Sequence, residues 1–279
     1  MPGAAPARPR YHGDMCLIAL AWRQHPRYPL AIAANRDEAH ARPTAAAGLD
    51  PDDPAVYGGR DLVQGGGWLQ VSTSGRLAAV TNVRNGLQTG VAPRSRGWLV
   101  RDFVRGTAAA PAFAAGIDER PDEFGPFNLL AFDGVRLAFA SNRPTASNIL
   151  VAPGLHAMSN GAFNAAWPKS RLATRALASW LESGLSKRDP LSDPESLEPL
   201  FAALADTALA PDDTLPDTGI GLELERRLSP PFVSSDHYGT RCSTLVLAGE
   251  DGFVFAERRF GPRAVVLGTS LAFVPRPPP

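Results

Sequence analysis

Two short apolar segments, residues 17–22 and 30–34, constrain this chain most; a connection carrying His25, Pro26 and Pro29 separates them. Uninterrupted apolar runs of this length, bounded by proline and polar residues, suit buried strands. A strand pair that is apolar all round needs cover on both faces, so layers must form around it. The first segment opens with Met15-Cys16, and the second runs into four consecutive polar residues, Asn35, Arg36, Asp37 and Glu38. A hairpin of the two sets that polar run beside Cys16. One end of a buried sheet then gathers a thiol, a guanidinium and two carboxylates.

The remaining pattern supplies partners for these strands. Residues 68–73 and 77–82 read as a hairpin around Ser74-Gly75, and residues 127–132 and 135–140 as another around Asp133-Gly134. A further strand is expected at 149–152, and a last pair at 242–248 and 253–258 across Asp251-Gly252. Ser95 is placed to cap a helix over 96–105, with a weaker helix at 109–119. Pro168 begins the clearest helix, to about residue 182, and a second follows at about 195–208. The polar stretch after Glu38, the glycines of Gly58-Gly59-Arg60-Asp61 and Gly65-Gly66-Gly67-Trp68, and residues 210–219 read as turns and loops. Neighbouring strands connect directly, so the expected architecture is α+β, with two largely antiparallel sheets inside and helices outside, an αββα sandwich.

Composition excludes several function classes. The 28 basic and 28 acidic residues cancel, so no overall field favours nucleic acid or anionic lipid. Lysine occurs at positions 169 and 187 alone, against 26 arginines, which reads as base composition. No apolar run of about 18 residues suggests a membrane span. Cys16 and Cys242 do not make a disulfide framework and lack metal-ligand spacing. His12, His25, His40, His156 and His237 form no ligand pair, although His156 and His237 fall near other candidate residues. The cytoplasm is the default compartment, where a thiol stays reduced. Residues 1–14 are rich in Pro, Ala and Arg and are expected to be disordered or to precede the true initiator, Met15; residues 15–270 are read as one domain and 271–279 as a tail. Loss of the initiator would leave Cys16 at the amino terminus.

An amino-terminal cysteine carries its own base. Its α-amine titrates near about 7.7–8.0 and its thiol near about 8.5. One residue then supplies nucleophile and proton acceptor. Arg36 offers positive charge for a thiolate, and Asp37 offers a carboxylate to hold the ammonium or the guanidinium.

Seven motifs occur in order: Met15-Cys16, Asn35-Arg36-Asp37-Glu38, Gly58-Gly59-Arg60-Asp61 with Gly66-Gly67-Trp68-Leu69, Thr81-Asn82, Ser159-Asn160-Gly161, Trp167-Pro168-Lys169 and Tyr238-Gly239-Thr240-Arg241. Together they resemble the NRDE-domain family, also called the Transport and Golgi organization 2 family, from residue 15 to about 260. That family in turn resembles the N-terminal nucleophile hydrolases, including cysteine-type penicillin and bile-salt acylases. The resemblance implies a four-layer αββα sandwich and roles for single positions: Cys16 as nucleophile, Arg36 and Asp37 as the residues that position it, Asn82 as an oxyanion donor, Asn160 as a second Asn and Arg241 as a late Arg near the amine. Two functions stay open. One is an amidohydrolase or acyltransferase acting on a small-molecule, non-peptide amide through a Cys16 thioester, with no cofactor. The other, which the resemblance alone implies, is a carrier of haem, lipid or acyl-CoA, with haem as cargo and not as a resident group. Oligomeric state, substrate and the shape of loops 84–95 and 210–219 do not follow from the residues.

Overall fold

A computed structural model describes residues 15–84 and 92–276. The expectations for residues 1–14, for part of loop 84–95 and for the last residues of the tail fall outside these.

Thirteen strands form among the described residues: β1 (Met15–Trp22), β2 (Leu30–Ala39), β3 (Thr44–Asp50), β4 (Asp53–Asp61), β5 (Gly67–Ser72), β6 (Leu77–Asn82), β7 (Phe127–Phe132), β8 (Leu137–Ser141), β9 (Ser147–Leu150), β10 (Gly154–Met158), β11 (Tyr238–Ala248), β12 (Gly252–Phe260) and β13 (Val266–Pro275). They make two antiparallel sheets, in the order β10-β1-β2-β11-β12-β13 and β3-β4-β5-β6-β7-β8-β9. The helices are α1 (Gly97–Arg105), α2 (Ala110–Asp118), α3 (Pro168–Glu182), α4 (Glu198–Leu204) and α5 (Leu222–Arg227).

Side-chain alternation assigns the layers. On β1 and β2, Cys16, Ile18, Leu20, Trp22, Leu30, Ile32 and Ala34 point into the space between the sheets, where they meet Leu69, Val71, Leu77 and Phe132. The opposite parity, with Leu17, Ala19, Ala21, Ala31 and Ala33, lies under α3 and α4 against Leu177, Trp180, Leu200 and Phe201. The second sheet turns Ala78, Val80, Leu129 and Ala131 towards Leu99, Phe103 and Ile117 of α1 and α2. The result is helix, sheet, sheet, helix. Covering both faces of β1 and β2 explains why those strands read as unbroken apolar runs. Alanine predominates on the helix-facing parity, and its short side chain lets a helix lie close. Each large side chain fully buried in these layers contributes about 1.5–3 kcal/mol.

Several expectations shift. The Asn35–Glu38 run lies inside β2, not beyond its end, because β11 continues to pair with it as far as Ala39. Gly58 belongs to β4 and not to a turn: its φ of 151° and an approach to the Leu69 carbonyl that would leave a Cβ at 2.6 Å allow only glycine there. Edge strand β3 occupies a stretch read as loop, edge strand β13 runs on into the stretch read as tail, and helix α5 forms where no element was expected. The helix expected at 195–208 is shorter, with a 3-10 turn over Pro194–Leu197 preceding α4.

Candidate functional site

Register brings the polar residues together. Cys16 on β1 lies directly across from Arg36 on β2, and Arg36 lies directly across from Cys242 on β11. All three face the gap between the sheets, so Arg36 is flanked by both thiols of the chain. Arg36 NH2 stands 3.4 Å from Glu38 Oε2, and its NH1 donates to Thr44 Oγ1. Neither cysteine is in a disulfide.

Asp37 has the opposite parity and points under the helix layer, where it is 1% exposed. Thr240 Oγ1 donates to its Oδ1 at 2.6 Å. Lys169, in the first turn of α3, is buried close by. Burial pushes the Asp37 carboxyl up to about 6, against the pull of Lys169, Thr240 and Arg36. Burial likewise pulls the Lys169 ammonium down to about 8, assisted by Arg84 and opposed by Asp37 and Cys16. Asp37 pairs in register with Met15, so this acid and this lysine border the backbone immediately before Cys16.

A third group clamps the far side. Ser159 Oγ donates to the Cys16 carbonyl at 2.7 Å and to Asn160 Oδ1 at 3.3 Å. Thr81 Oγ1 and Asn128 Nδ2 both donate to the Ser159 carbonyl. Asn160 Nδ2 donates to the Asn82 carbonyl, and the Arg84 amide donates to the Asn160 carbonyl. The segment after β10 therefore stitches the start of β1 to the end of β6 and the start of β7. Beside it, Arg84 pairs with Glu225 at 2.6 Å.

Of the residues singled out from sequence, Cys16 and Arg36 are direct neighbours, Asp37 adjoins the backbone before Cys16, and Asn82 and Asn160 join each other around the Ser159 clamp. Arg241 stands apart: it occupies the bulge between Thr240 and Cys242, and its NH1 donates to the Ala39 and Arg42 carbonyls. It fastens the chain leaving β2. Asn35, first of the polar run, is fully buried and structural; it donates to the Leu204 and Pro231 carbonyls and accepts from Ser243. The Cys242 thiol is raised well above its ordinary range by burial and by Glu257 beside it. The His156 ring is committed to the Ala152 carbonyl and Asn164 and stacks on Phe163.

Sequence reasoning assigned no role to Lys169, Ser159, Thr240 or Glu225. For Lys169 a signal existed: in a chain with 26 arginines, a lysine on the first turn of an apolar helix is a choice. Lysine gives up its proton on burial far more readily than arginine.

Cys16 is 5% exposed, and its nitrogen lies in a peptide bond to Met15. Among the described residues, no group of three or more His, Cys, Asp or Glu is arranged to hold a metal. No helix among them is long and apolar enough to cross a membrane.

A family model described as Transport and Golgi organisation 2 matches residues 15–262. A bovine (Bos taurus) Transport and Golgi organization protein 2 homolog is 31% identical over 263 residues, covering 88% of this chain and 92% of that protein. The human (Homo sapiens) homolog is 28% identical over 264 residues, with the same coverage of 88% and 92%. Among solved structures, a Caenorhabditis elegans ortholog of N-acylethanolamine-hydrolyzing acid amidase aligns with TM-score 0.47 and 11% identity, covering 83% of this chain and 92% of that one. Penicillin V acylase from Agrobacterium tumefaciens aligns with TM-score 0.45 and 10% identity, covering 86% and 82%.

Proposed function

For a chain that belongs to the Transport and Golgi organisation 2 family, we propose an amidohydrolase or acyltransferase in which Cys16, freed at its nitrogen by removal of everything up to Met15, attacks a small-molecule amide. The observation that carries this reading is the placement of Cys16 at the start of β1, between Arg36 on one face and the Asp37–Thr240–Lys169 group on the other. Arg36 adds positive charge beside the sulfur and favours the thiolate. The Asp37 group borders the position that the freed amine would take. Lys169 beside that amine disfavours a second ammonium there and so keeps it neutral and able to accept a proton.

The steps follow from these positions. The Cys16 α-amine takes the thiol proton as Sγ bonds to the amide carbon, and the carbonyl oxygen becomes an oxyanion. The side-chain amides of Asn82 and Asn160, joined to Cys16 through the Ser159 clamp, are the candidate donors to it; a single such donor is typically worth about 10²–10³ in rate. Collapse breaks the carbon–nitrogen bond, and the leaving amine takes the proton from the α-ammonium. The thioester then yields to water, whose proton goes to the α-amine, releasing a carboxylic acid and restoring the thiol. A second amine or alcohol in place of water gives acyl transfer.

The test is acylation of the protein starting at Cys16 by a small β-lactone, read by intact mass and peptide mapping. One adduct on Cys16, absent from the protein that retains residues 1–15 and from Cys16→Ala, is expected. Equal labelling of both chain lengths, or none of either, overturns the reading.

A further inference from the structure

Lys169 has a second neighbour besides Asp37. It lines a cavity of about 520 Å³ between the first turns of α3 and the segment 208–231, on the helix side of the sheet and away from the gap that holds Cys16. The ammonium is poorly satisfied. Lys169 is 3% exposed, yet the one acceptor within hydrogen-bond distance among the described residues is the Leu228 carbonyl at 3.4 Å. No carboxylate lies within ion-pair distance of it among them; Asp37 acts on it only from further away. The Trp167 ring lies 5.7 Å from Nζ and partly offsets the charge, but an ammonium has three donors, and a buried one with a single long hydrogen bond is costly.

The rest of the lining has the same sign. Arg171 and Arg175, one helical turn apart on the exposed face of α3, stand over the cavity, and neither has a carboxylate partner among the described residues. Arg175 Nε donates to the Arg171 carbonyl. The cavity also meets the start of α3, a helix with no side-chain cap at its N-terminus, where backbone N–H groups and the helix dipole favour negative charge. The acids nearest in the lining segment do not offset this: Asp212 is taken by Arg226, and Asp213 is exposed to solvent. The remaining wall is apolar, with Leu172, Ala208 and Pro211.

We propose that this cavity binds an amphipathic small molecule by an oxyanion head, a carboxylate or a phosphate, seated on Lys169 and flanked by Arg171 and Arg175, with an apolar portion against the alanine and proline wall. This rests on the cavity alone and not on turnover at Cys16.

Calorimetric titration of the full chain with octyl phosphate, octanoate and 1-octanol tests it. At least one anion is expected to bind and the alcohol not to, and the stronger anion tells phosphate from carboxylate. Charge-assisted hydrogen bonds of this kind correspond to an affinity loss of about ten-fold or more when one partner is removed. Lys169→Met is expected to show that loss. Because Lys169 is buried, the exposed pair Arg171→Ala/Arg175→Ala provides a second variant that leaves the core untouched and weakens the anion by about three- to ten-fold. Equal binding of 1-octanol, no binding of either anion, or unchanged affinity in the folded double-arginine variant overturns the proposal. Acylation of Cys16 is a separate readout, so this site and the catalytic reading can fail independently.

Discussion

Replacing Asn35 by alanine isolates a structural residue within a polar run that otherwise looks catalytic. The Asn35 side chain makes three hydrogen bonds in a site with no exposure: to the Leu204 carbonyl at 2.8 Å, to the Pro231 carbonyl at 2.9 Å and from Ser243 Oγ at 2.6 Å. Asn35→Ala removes all three and strands two carbonyls and a hydroxyl where water does not reach. At about 1–1.5 kcal/mol for each bond with its partner left unpaired, the loss is about 3–5 kcal/mol. That is a large share of the roughly 5–15 kcal/mol that holds a domain folded. Urea denaturation followed by tryptophan fluorescence measures it, and the midpoint should fall with little change in slope. A loss under about 1 kcal/mol would show instead that these bonds are replaced without strain and that Asn35 does not hold the fold.

Titration of the buried acid–base pair gives a stability profile of known sign. Asp37, held up at about 6 against an ordinary 3.8, keeps a proton in the fold that the unfolded chain has released, so stability falls as pH rises from about 4 to about 6. Lys169, held down at about 8 against 10.5, loses its proton in the fold first, so stability rises again from about 8 to about 10. Thermal unfolding across pH should show this dip, and Asp37→Asn/Lys169→Met should flatten it. Cys242 should resist iodoacetamide at pH 8 in the folded chain and react in urea, as peptide mapping would report; native labelling would contradict its raised thiol. Gly66→Ala should cost about 2–3 kcal/mol in urea denaturation, because its Cβ would sit 2.4 Å from the Gly97 backbone. Gly116→Ala in α2, with open space at its Cβ, should instead stabilise by about 0.5–1 kcal/mol.

What the sequence displays follows from local physics. The hairpins at Ser74-Gly75, Asp133-Gly134 and Asp251-Gly252 were legible because each glycine takes a positive φ, of 76°, 92° and 151°. Cys16 beside Arg36 was legible because a short connection forces β1 and β2 to pair. Edge strands were not. Thr44–Asp50 has few large apolar residues and lies mostly half-exposed, and β13 turns Val266 and Leu267 to solvent, so neither shows a buried period. Contacts between distant segments were also hidden. Nothing local tells that Cys242 stands beside Arg36, or that Lys169 of α3 is buried near Asp37. Parity within β2 was the subtler loss: Arg36 and Asp37 are consecutive, and that alone sends them to opposite faces of the sheet.

The most direct measurement compares the intact mass of the chain isolated from cells with its mass after exposure to an acyl β-lactone. A chain that begins at Cys16 and gains one acyl group on that residue is expected. A chain that keeps residues 1–15 in full, or one that begins at Cys16 and stays unmodified, would contradict it.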